Sequence, residues 1–318
     1  MNDADGNSPA DEKIVLVVRP TRLDELVARF NTVQQAQFYV EHLGADFGDY
    51  LVEHRRYGEA VVKAEAVLRE LGRVQRLDRR YLANFIFGAQ DHVVVLGQDG
   101  LVANTLKYLD GQPVIGVNPE PARWNGVLLP FSVDELPQVA PAALRRQRPL
   151  RAVTMAKAVL NNGQTLHAVN DFFIGQRSHV SARYTIAVGG REEQQSSSGV
   201  IVSTGLGSTG WLKSIYAGWT ATASSLLHRQ IDSVGDGSFP WDADYLHYFV
   251  REPYPSRVTR ADIVIGRIAH GERLVLVSQM PENGVIFSDG VEADFLQFNA
   301  GSVVTIGLAE RQTNLVVG

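Results

Sequence analysis

The segment HVVVLGQDGLVANTLKYLDGQPVIGVN, from His92 to Asn118, decides the fold of the first half of the chain. It begins with a β-branched run that is typical of a strand buried on both faces, and it continues through the turn GQDG into an apolar stretch with helical spacing. A second β-branched run, PVIGVN, follows. This order predicts a β-turn-α-β unit. Such units build an open, mostly parallel sheet whose ligands bind beyond the carboxyl ends of the strands.

The same pattern extends toward the N-terminus. The run KIVLVVR, from Lys13 to Arg19, predicts another buried strand, and YGEAVVKAEAVLRELG predicts an amphipathic helix that ends at Gly72. We therefore expect an α/β domain over residues 13–136. The preceding residues, MNDADGNSPADE, are polar and acidic, so residues 1–12 are expected to form a disordered tail rather than a signal or transit peptide.

A change of composition marks the end of this domain. The proline-containing segment LPQVAPAALRRQRPL has no strand pattern, and we place the domain boundary there. Beyond it, short apolar runs such as ARYTIAVGG, GVIVSTG and RLVLVSQ are separated by turn signals. The predicted fold class is therefore α/β plus β, with an open parallel α/β domain followed by a β-rich domain over residues 150–318.

The composition of the 318-residue chain narrows the classes of partner. A formal net charge of −5 with dispersed Lys and Arg argues against a nucleic-acid partner. The chain has no Cys and no apolar run of the ~20 residues that a membrane helix needs, so we expect a cytoplasmic protein with no membrane partner. The eight His are scattered and lack a carboxylate-rich ligand set, so no protein-held metal is expected.

The turn Gly97–Gly100 contains the first candidate site. It presents backbone N–H groups at the start of a helix, where phosphate groups bind readily. Asp99 is the unusual residue, because a carboxylate beside phosphates is repelled unless it holds a cation or accepts a proton. Phosphoryl transfer to an alcohol would use both roles. The alternative is that Asp99 and Gly100 form an ordinary turn that caps the next helix.

The glycine-rich turn STGLGSTGW, Ser203–Trp211, contains the second candidate site. Its spacing Gly205-x-Gly207-x-x-Gly210 is that of a dinucleotide fingerprint. That fingerprint requires a βαβ unit, whereas this turn lies in the β-rich half, so a Rossmann site is not expected. Two interpretations remain: a plain tight turn before a helix, or a ligand-lining turn with hydroxyl groups and a stacking Trp211 ring.

Taken in chain order, these motifs resemble those of the NAD kinase family, and within it the mitochondrial-type branch. The resemblance runs from about Lys13 nearly to the C-terminus, through VLGQDGLVANTL, PVIGVNPEPARWNGVLLPF, AVNDFFIG, ARYTIAVGG, SSSGVIVSTGLGSTGW, YFVREPYPSRV and FSDGVEAD. Family members transfer the γ-phosphate of ATP, with Mg²⁺, to the 2′-hydroxyl of the adenosine ribose of NAD. The resemblance therefore implies ATP, Mg²⁺ and NAD as ligands, a site in the cleft between two domains, and a homodimer or larger assembly.

The resemblance also implies roles for individual residues. Asp99 matches the loop acid, which is expected to accept the hydroxyl proton or to orient the hydroxyl for attack. Asn170 and Asp171 match an Asn-acid pair that can hold ribose hydroxyls or an amide. Asp289 matches a late Asp-Gly acid, although SDG is equally a plain hairpin turn. The other residues expected to bind nucleotide are Gly97, Gln98, Gly100, Asn118, Thr204, Gly207, Ser208, Thr209, Gly210, Trp211 and Ser214.

The phosphate loop departs from the family pattern at two positions. The family has GGDGT where this chain has GQDGL, so Gln98 replaces a glycine and Leu101 replaces a threonine. Thr105, one helical turn further on, is a poor substitute for that threonine. Two alternatives to an NAD kinase follow: a kinase of the same superfamily with a lipid or sugar acceptor, or a catalytically inactive sensor that binds NAD or NADP.

Overall fold

The computed structural model describes residues 13–231 and 237–318. The predicted tail, residues 1–12, lies outside the described residues. Within the described part, no helix combines the length and the apolar character that a membrane crossing requires.

The chain divides into two compact units. The first unit extends to Arg151 and also includes Asn314–Gly318, and the second unit is Ala152–Thr313. The helices and strands of the first unit are β1 (Lys13–Val18), α1 (Arg22–Phe30), α2 (Val33–His42), α3 (Phe47–Arg69), β2 (Arg73–Asp78), β3 (His92–Leu96), α4 (Asp99–Leu106), β4 (Pro113–Asn118), β5 (Phe131–Ser132) and α5 (Leu136–Leu144), with a 3-10 turn at Arg79–Asn84.

The first unit is built on the predicted parallel sheet. Its strand order is β2-β1-β3-β4, and each neighbouring pair is parallel. The KIVLVV run forms β1 and is buried along its whole length after Lys13, as expected for a strand covered on both faces. The predicted apolar face of α3, including Ala60, Ala64 and Leu68, packs against this sheet. The expected α/β domain is therefore confirmed.

The segment assigned to the domain boundary contains helix α5 of the first unit. Pro137 lies in the first turn of α5, where a missing N–H costs no helical hydrogen bond, and Pro141 lies inside the helix. Leu136, Val139 and Ala140 recur at helical spacing and are buried in the core of the first unit. The prolines obscured this periodicity in the sequence.

The second unit consists mainly of antiparallel sheets. Its elements are β6 (Leu150–Leu160), β7 (Thr165–Ala168), β8 (Asp171–Gln176), β9 (Ala182–Val188), β10 (Arg191–Ser197), β11 (Val200–Ser203), a 3-10 turn (Gly207–Thr209), α6 (Trp211–Leu226), β12 (Tyr245–Val250), β13 (Ile265–Ala269), β14 (Leu274–Ser278), β15 (Gly284–Ser288), β16 (Val291–Gln297) and β17 (Val303–Val316). The last residues of β17 belong to the first unit, where Asn314 and Leu315 pair in parallel with β4.

Two groups of strands form the core of the second unit. One has the order β10-β9-β14-β17, with β6 paired to β17 and β7 paired to β6, and the other has the order β13-β12-β11-β8-β15-β16. Inward-facing residues of both groups, such as Tyr184, Leu276, Phe172 and Tyr248, belong to one hydrophobic cluster. The expected β-rich domain is confirmed, and its second sheet carries the turns that form the candidate site.

Candidate functional site

The turn Gly97–Gly100 lies at the carboxyl end of β3, next to the end of β1. Since β2 lies on one side of β1 and β3 on the other, the sheet order reverses between β1 and β3. Ligands of α/β sheets bind at such points. A Cβ atom on Gly97 would lie 2.8 Å from Cδ2 of Leu101, whereas a Cβ atom on Gly100 would have no heavy atom within 4 Å. A side chain at Gly97 would therefore crowd only the end of the Leu101 side chain, while the space over Gly100 is open to a ligand.

Asp99 is held by the loop that follows β4. Its carboxylate accepts hydrogen bonds from the backbone N–H of Leu128 at 2.7 Å and of Val127 at 3.3 Å. A carboxylate has about four acceptor positions, so these two bonds leave capacity for a ligand. Asp99 thus has a structural role in addition to the role expected from the resemblance.

The two departures from the family loop have different environments. Gln98 occupies the N-cap position of α4, and its side chain makes no capping hydrogen bond. Leu101 is buried in the core. Thr105 is also buried, and its hydroxyl donates to the carbonyl of Leu101 at 2.8 Å. Neither Leu101 nor Thr105 therefore offers a hydroxyl to a ligand at the loop.

Asn118 organises the chain after β4. Its Nδ2 donates to the carbonyl of Trp124 at 2.9 Å, and its Oδ1 accepts from the N–H of Glu120 at 3.0 Å. A Cβ atom on Gly126 would lie 2.7 Å from Nδ2 of Asn118, so a glycine is needed for this close approach. Both ends of the Asn118 amide are thus used to hold the loop after β4. A contact between Asn118 and a nucleotide stays a prediction.

Tyr57 is a residue near the loop that sequence analysis missed. Its hydroxyl accepts from the N–H of Arg19 at 3.0 Å and donates to the carbonyl of Leu96 at 2.8 Å. It therefore joins the ends of β1 and β3 immediately before Gly97. Burial raises the pKa of Tyr57 to about 12, so the hydroxyl stays protonated at neutral pH. The sequence feature that could have revealed Tyr57 is its position on the apolar face of α3, because a buried tyrosine hydroxyl needs a hydrogen-bond partner.

The glycine spacing of STGLGSTGW is explained by packing within the second unit. A Cβ atom on Gly205 would lie 1.8 Å from the carbonyl oxygen of Pro240, and one on Gly207 would lie 2.1 Å from that of Asn170. The preceding strand, β11, is antiparallel to both of its neighbours, β8 and β12. This arrangement excludes the βαβ unit of a Rossmann site, and the two glycines allow close backbone contacts.

The hydroxyl groups of the turn fall into two classes. Thr204 and Ser208 are fully buried. The hydroxyl of Thr204 donates to the carbonyl of Val169, and that of Ser208 donates to the carbonyl of Gly205 at 2.7 Å. The predicted ligand residues of this turn and of the start of α6 that are exposed are Thr209, Gly210, Trp211 and Ser214. Thr204 and Ser208 therefore stabilise the turn, whereas the exposed group is accessible to a ligand.

Asp289 connects the hairpin between β15 and β16 to the start of β8. Asp289 and Gly290 have φ values of 54° and 69°, as the tight turn of a hairpin requires. The carboxylate of Asp289 accepts from three consecutive backbone N–H groups, those of Val169, Asn170 and Asp171, at distances from 2.7 to 3.2 Å. Asp289 is therefore both a hairpin residue and the acceptor that orients the Asn-acid pair.

A cavity of about 290 Å³ opens beside this pair, entirely within the second unit. The Phe173 ring stacks with Trp211 at a centroid distance of 5.9 Å and with Phe287 at 6.3 Å. The guanidinium of Arg251 lies 5.6 Å from the centre of the Trp211 ring. Asp171 and Asp289 line the same cavity. The cavity thus combines an aromatic surface for a planar ring with carboxylates for hydrogen-bond donors.

The carboxylate of Asp171 has a strongly raised proton affinity. No side chain or N–H in the described part of the chain donates to its carboxylate. Burial and, second, the negative charge of Asp289 raise the pKa of Asp171 to about 7. Perturbed carboxyl groups of this kind are frequent at functional sites. Within residues 13–231 and 237–318, no cluster of three or more His, Asp or Glu could hold a metal ion.

Two solved structures are similar to this chain over most of its length. One is an NAD kinase from Archaeoglobus fulgidus in complex with ATP, with a TM-score of 0.56, 16% identity and coverage of 96% of this chain and 93% of that chain. Yeast NADH kinase complexed with NADH has a TM-score of 0.56, 15% identity and coverage of 98% and 84%. No protein-family profile and no curated protein sequence matches this chain. At these identities the similarity shows the fold.

Proposed function

We propose that this chain, which has the fold of NAD kinases, transfers the γ-phosphate of ATP to the 2′-hydroxyl of the adenosine ribose of NAD. The observation that carries the proposal is the cavity of the second unit. There the stacked rings of Phe173 and Trp211 lie beside the carboxylate of Asp171, which accepts no hydrogen bond from the described part of the chain. A dinucleotide supplies the complementary groups: rings that stack on Trp211 and Phe173, and hydroxyls that donate to Asp171. The two similar structures contain ATP and NADH, which represent the two ligand classes of the reaction.

The phosphate groups of ATP are proposed to bind at Gly97–Gly100. The first N–H groups of a helix have no intrahelical partner, and α4 begins at Asp99. Mg²⁺ usually binds through one or two carboxylates together with substrate phosphates, and Asp99 has acceptor capacity beyond its two backbone bonds. The residues present therefore fit a Mg²⁺ ion that arrives with the nucleotide. Bound Mg²⁺ neutralises charge on the reacting phosphates.

The test is NADP formation by the purified chain with ATP, Mg²⁺ and NAD. The Gly100→Ala variant probes the loop without disturbing the fold, because its Cβ meets no heavy atom within 4 Å. We expect the KM for ATP to rise at least tenfold, since the methyl group occupies the space where the phosphates approach. The same substitution at Gly218 in α6, which is also in open space, is the matched control and should leave KM unchanged. A wild-type chain that binds NAD but forms no NADP would refute the proposal.

The loop departures favour a second candidate, a nucleotide-binding module without catalysis. Gln98 adds a side chain at the start of α4, and Leu101 supplies no hydroxyl there. This candidate predicts tight NAD or NADP binding in calorimetry and no turnover. A kinase with a lipid or sugar acceptor would instead consume ATP only when that acceptor is added.

The assembly and the location of the chain belong to the same proposal. By resemblance we expect a homodimer or a larger assembly, which light scattering of the purified protein would measure. We also expect a cytoplasmic protein, because the chain has no Cys. Cell fractionation with an antibody to the chain would test the location.

A further inference from the structure

The segment between β4 and β5, residues 119–130, is the loop that holds Asp99 in the first unit. The backbone N–H groups of Val127 and Leu128 donate to the Asp99 carboxylate. Asn118 holds the same loop from the end of β4. Any further contact that fixes this loop therefore also fixes the direction in which the Asp99 carboxylate points.

Helix α3 supplies such contacts, through ion pairs. The carboxylate of Asp49 accepts two parallel hydrogen bonds from Arg123 of the loop, at 2.9 Å from Nη1 and 2.8 Å from Nη2. Arg56 donates to the carboxylate of Glu120 in the same loop. Asp49 and Arg56 are seven residues apart, which places them on one face of α3. The loop is therefore tied to α3 at two points.

Asp49 also binds a second guanidinium group, that of Arg22 in the first turn of α1. The Nη2 atom of Arg22 lies 2.7 Å from Oδ2 of Asp49. Arg22 in turn donates to Glu53, and Glu53 accepts from Arg19 at 3.0 Å. A continuous series of ion pairs thus runs from the end of β1, through α1 and α3, to the loop that holds Asp99.

The geometry of the Asp49 pairs distinguishes them from ordinary surface ion pairs. Isolated exposed pairs contribute little to stability, but bidentate arginine–carboxylate pairs and networks of several charges are the exceptions. Arg123 and, second, Arg22 lower the pKa of Asp49 to about 2, so its carboxylate is ionised at neutral pH. The guanidinium of Arg22 also lies 4.3 Å from the centre of the Tyr50 ring, which restricts its orientation.

We propose that Asp49 is a positioning residue for Asp99: it binds Arg123 and Arg22 together and so fixes the loop that directs the Asp99 carboxylate. This inference rests on the proposed function. Asp49 contacts no substrate and acts on the reaction only through Asp99. When the loop is released, Asp99 keeps its chemistry but loses its fixed orientation, and a displacement of about 1 Å can lower a catalytic rate about 10²-fold.

Hydrogen exchange of the full chain, measured by mass spectrometry, tests this contact without an activity assay. The reporter is a peptide that contains Val127 and Leu128, whose N–H groups are hydrogen-bonded in the folded protein. In Asp49→Asn we expect these groups to exchange at least about tenfold faster than in the wild type, because the loop opens more often.

A matched control and a second reporter give this result its meaning. Glu65→Gln removes another exposed carboxylate that pairs with an arginine on α3, within the helix itself, and should leave exchange in the loop unchanged. Exchange in β1 reports the stability of the first unit, so in Asp49→Asn the loop must accelerate more than β1 does. Unchanged exchange in the loop, or equal acceleration of the loop and β1, overturns the inference.

The kinetic test distinguishes positioning from a loss of stability. We expect Asp49→Asn to lower kcat about 10- to 100-fold while the KM values for ATP and NAD stay within about twofold. Asp49→Glu keeps the charge and should recover part of kcat. In an Asp99→Asn background, Asp49→Asn should have no further effect, because both changes then act on the same group. A further fall of the same size in that background contradicts the inference.

The two measurements separate this inference from the proposed function. If the wild type forms no NADP, the proposed function fails, and hydrogen exchange still decides whether Asp49 holds the Asp99 loop. If the wild type forms NADP but Asp49→Asn keeps its kcat, the proposed function stands and the positioning role of Asp49 is wrong.

Discussion

Replacing Gly207 by alanine is expected to destabilise the second unit and to displace the candidate site. The new Cβ atom would lie 2.1 Å from the carbonyl oxygen of Asn170. Ordinary carbon–oxygen contacts begin at about 3.3 Å, so the two backbones must separate by about 1.2 Å. Both partners are main chain, and neither can move away by changing a side-chain rotamer.

The expected cost follows from the bonds around this contact. The carbonyl of Asn170 accepts from the N–H of Thr204 at 2.9 Å, and this bond breaks when the backbones separate. Losing the bond costs about 1 kcal/mol and overpacking about 1–3 kcal/mol, while alanine gains about 0.5 kcal/mol by restricting the unfolded chain. We expect the free energy of unfolding to fall by about 1.5–3.5 kcal/mol.

Urea unfolding, followed by circular dichroism and tryptophan fluorescence, measures this change. The control is Gly218→Ala in α6, where a Cβ atom meets no heavy atom within 4 Å. Alanine inside a helix should stabilise the protein by up to about 1 kcal/mol relative to glycine. If Gly207→Ala unfolds at the same urea concentration as the wild type, the close contact with Asn170 does not exist and the packing explanation of the glycine spacing is wrong.

Three further predictions concern single side chains. The folded-state pKa of Asp171 is raised from 3.8 to about 7, so the folded protein binds this proton more tightly than the unfolded chain does. Proton binding therefore stabilises the folded state at low pH, and this stabilisation is lost as the pH rises from about 4 to 7. Asp171→Asn avoids this loss, and urea unfolding should show it to be more stable than the wild type by about 4 kcal/mol at pH 8 and nearly equal at pH 4. Tyr57→Phe leaves the buried N–H of Arg19 and the carbonyl of Leu96 without the hydroxyl that both contact. Thermal unfolding should therefore show that the free energy of unfolding falls by about 1–3 kcal/mol. Gln98→Gly should raise kcat, because no side chain then crowds the phosphates at the start of α4; a lower kcat would mean that Gln98 itself contacts a substrate.

The sequence alone determined the class of each unit and the order of its main elements. Continuous β-branched runs such as Lys13–Val18 and His92–Leu96 became buried parallel strands, because burial on both faces depends on local composition. The short apolar runs separated by turn signals became the antiparallel strands of the second unit, because strand length and turn residues are also local properties of the sequence. The order of the motifs also predicted that Asp171, Trp211 and Asp289 belong to one ligand site, and these three residues line one cavity.

Only the tertiary structure decided what these residues do. Asp289 holds backbone N–H groups about 120 residues earlier in the chain, and Gly207 is small because it meets the carbonyl of Asn170. The proton affinity of Asp171 depends on its burial and on the charge of Asp289, which a sequence pattern does not record. Helix α5 and the return of the C-terminus to β4 were likewise absent from the sequence prediction. Helix α5 was missed because its prolines obscured a local periodicity. The other features arise from contacts between segments that are distant in sequence, and such contacts exist only once the chain has folded.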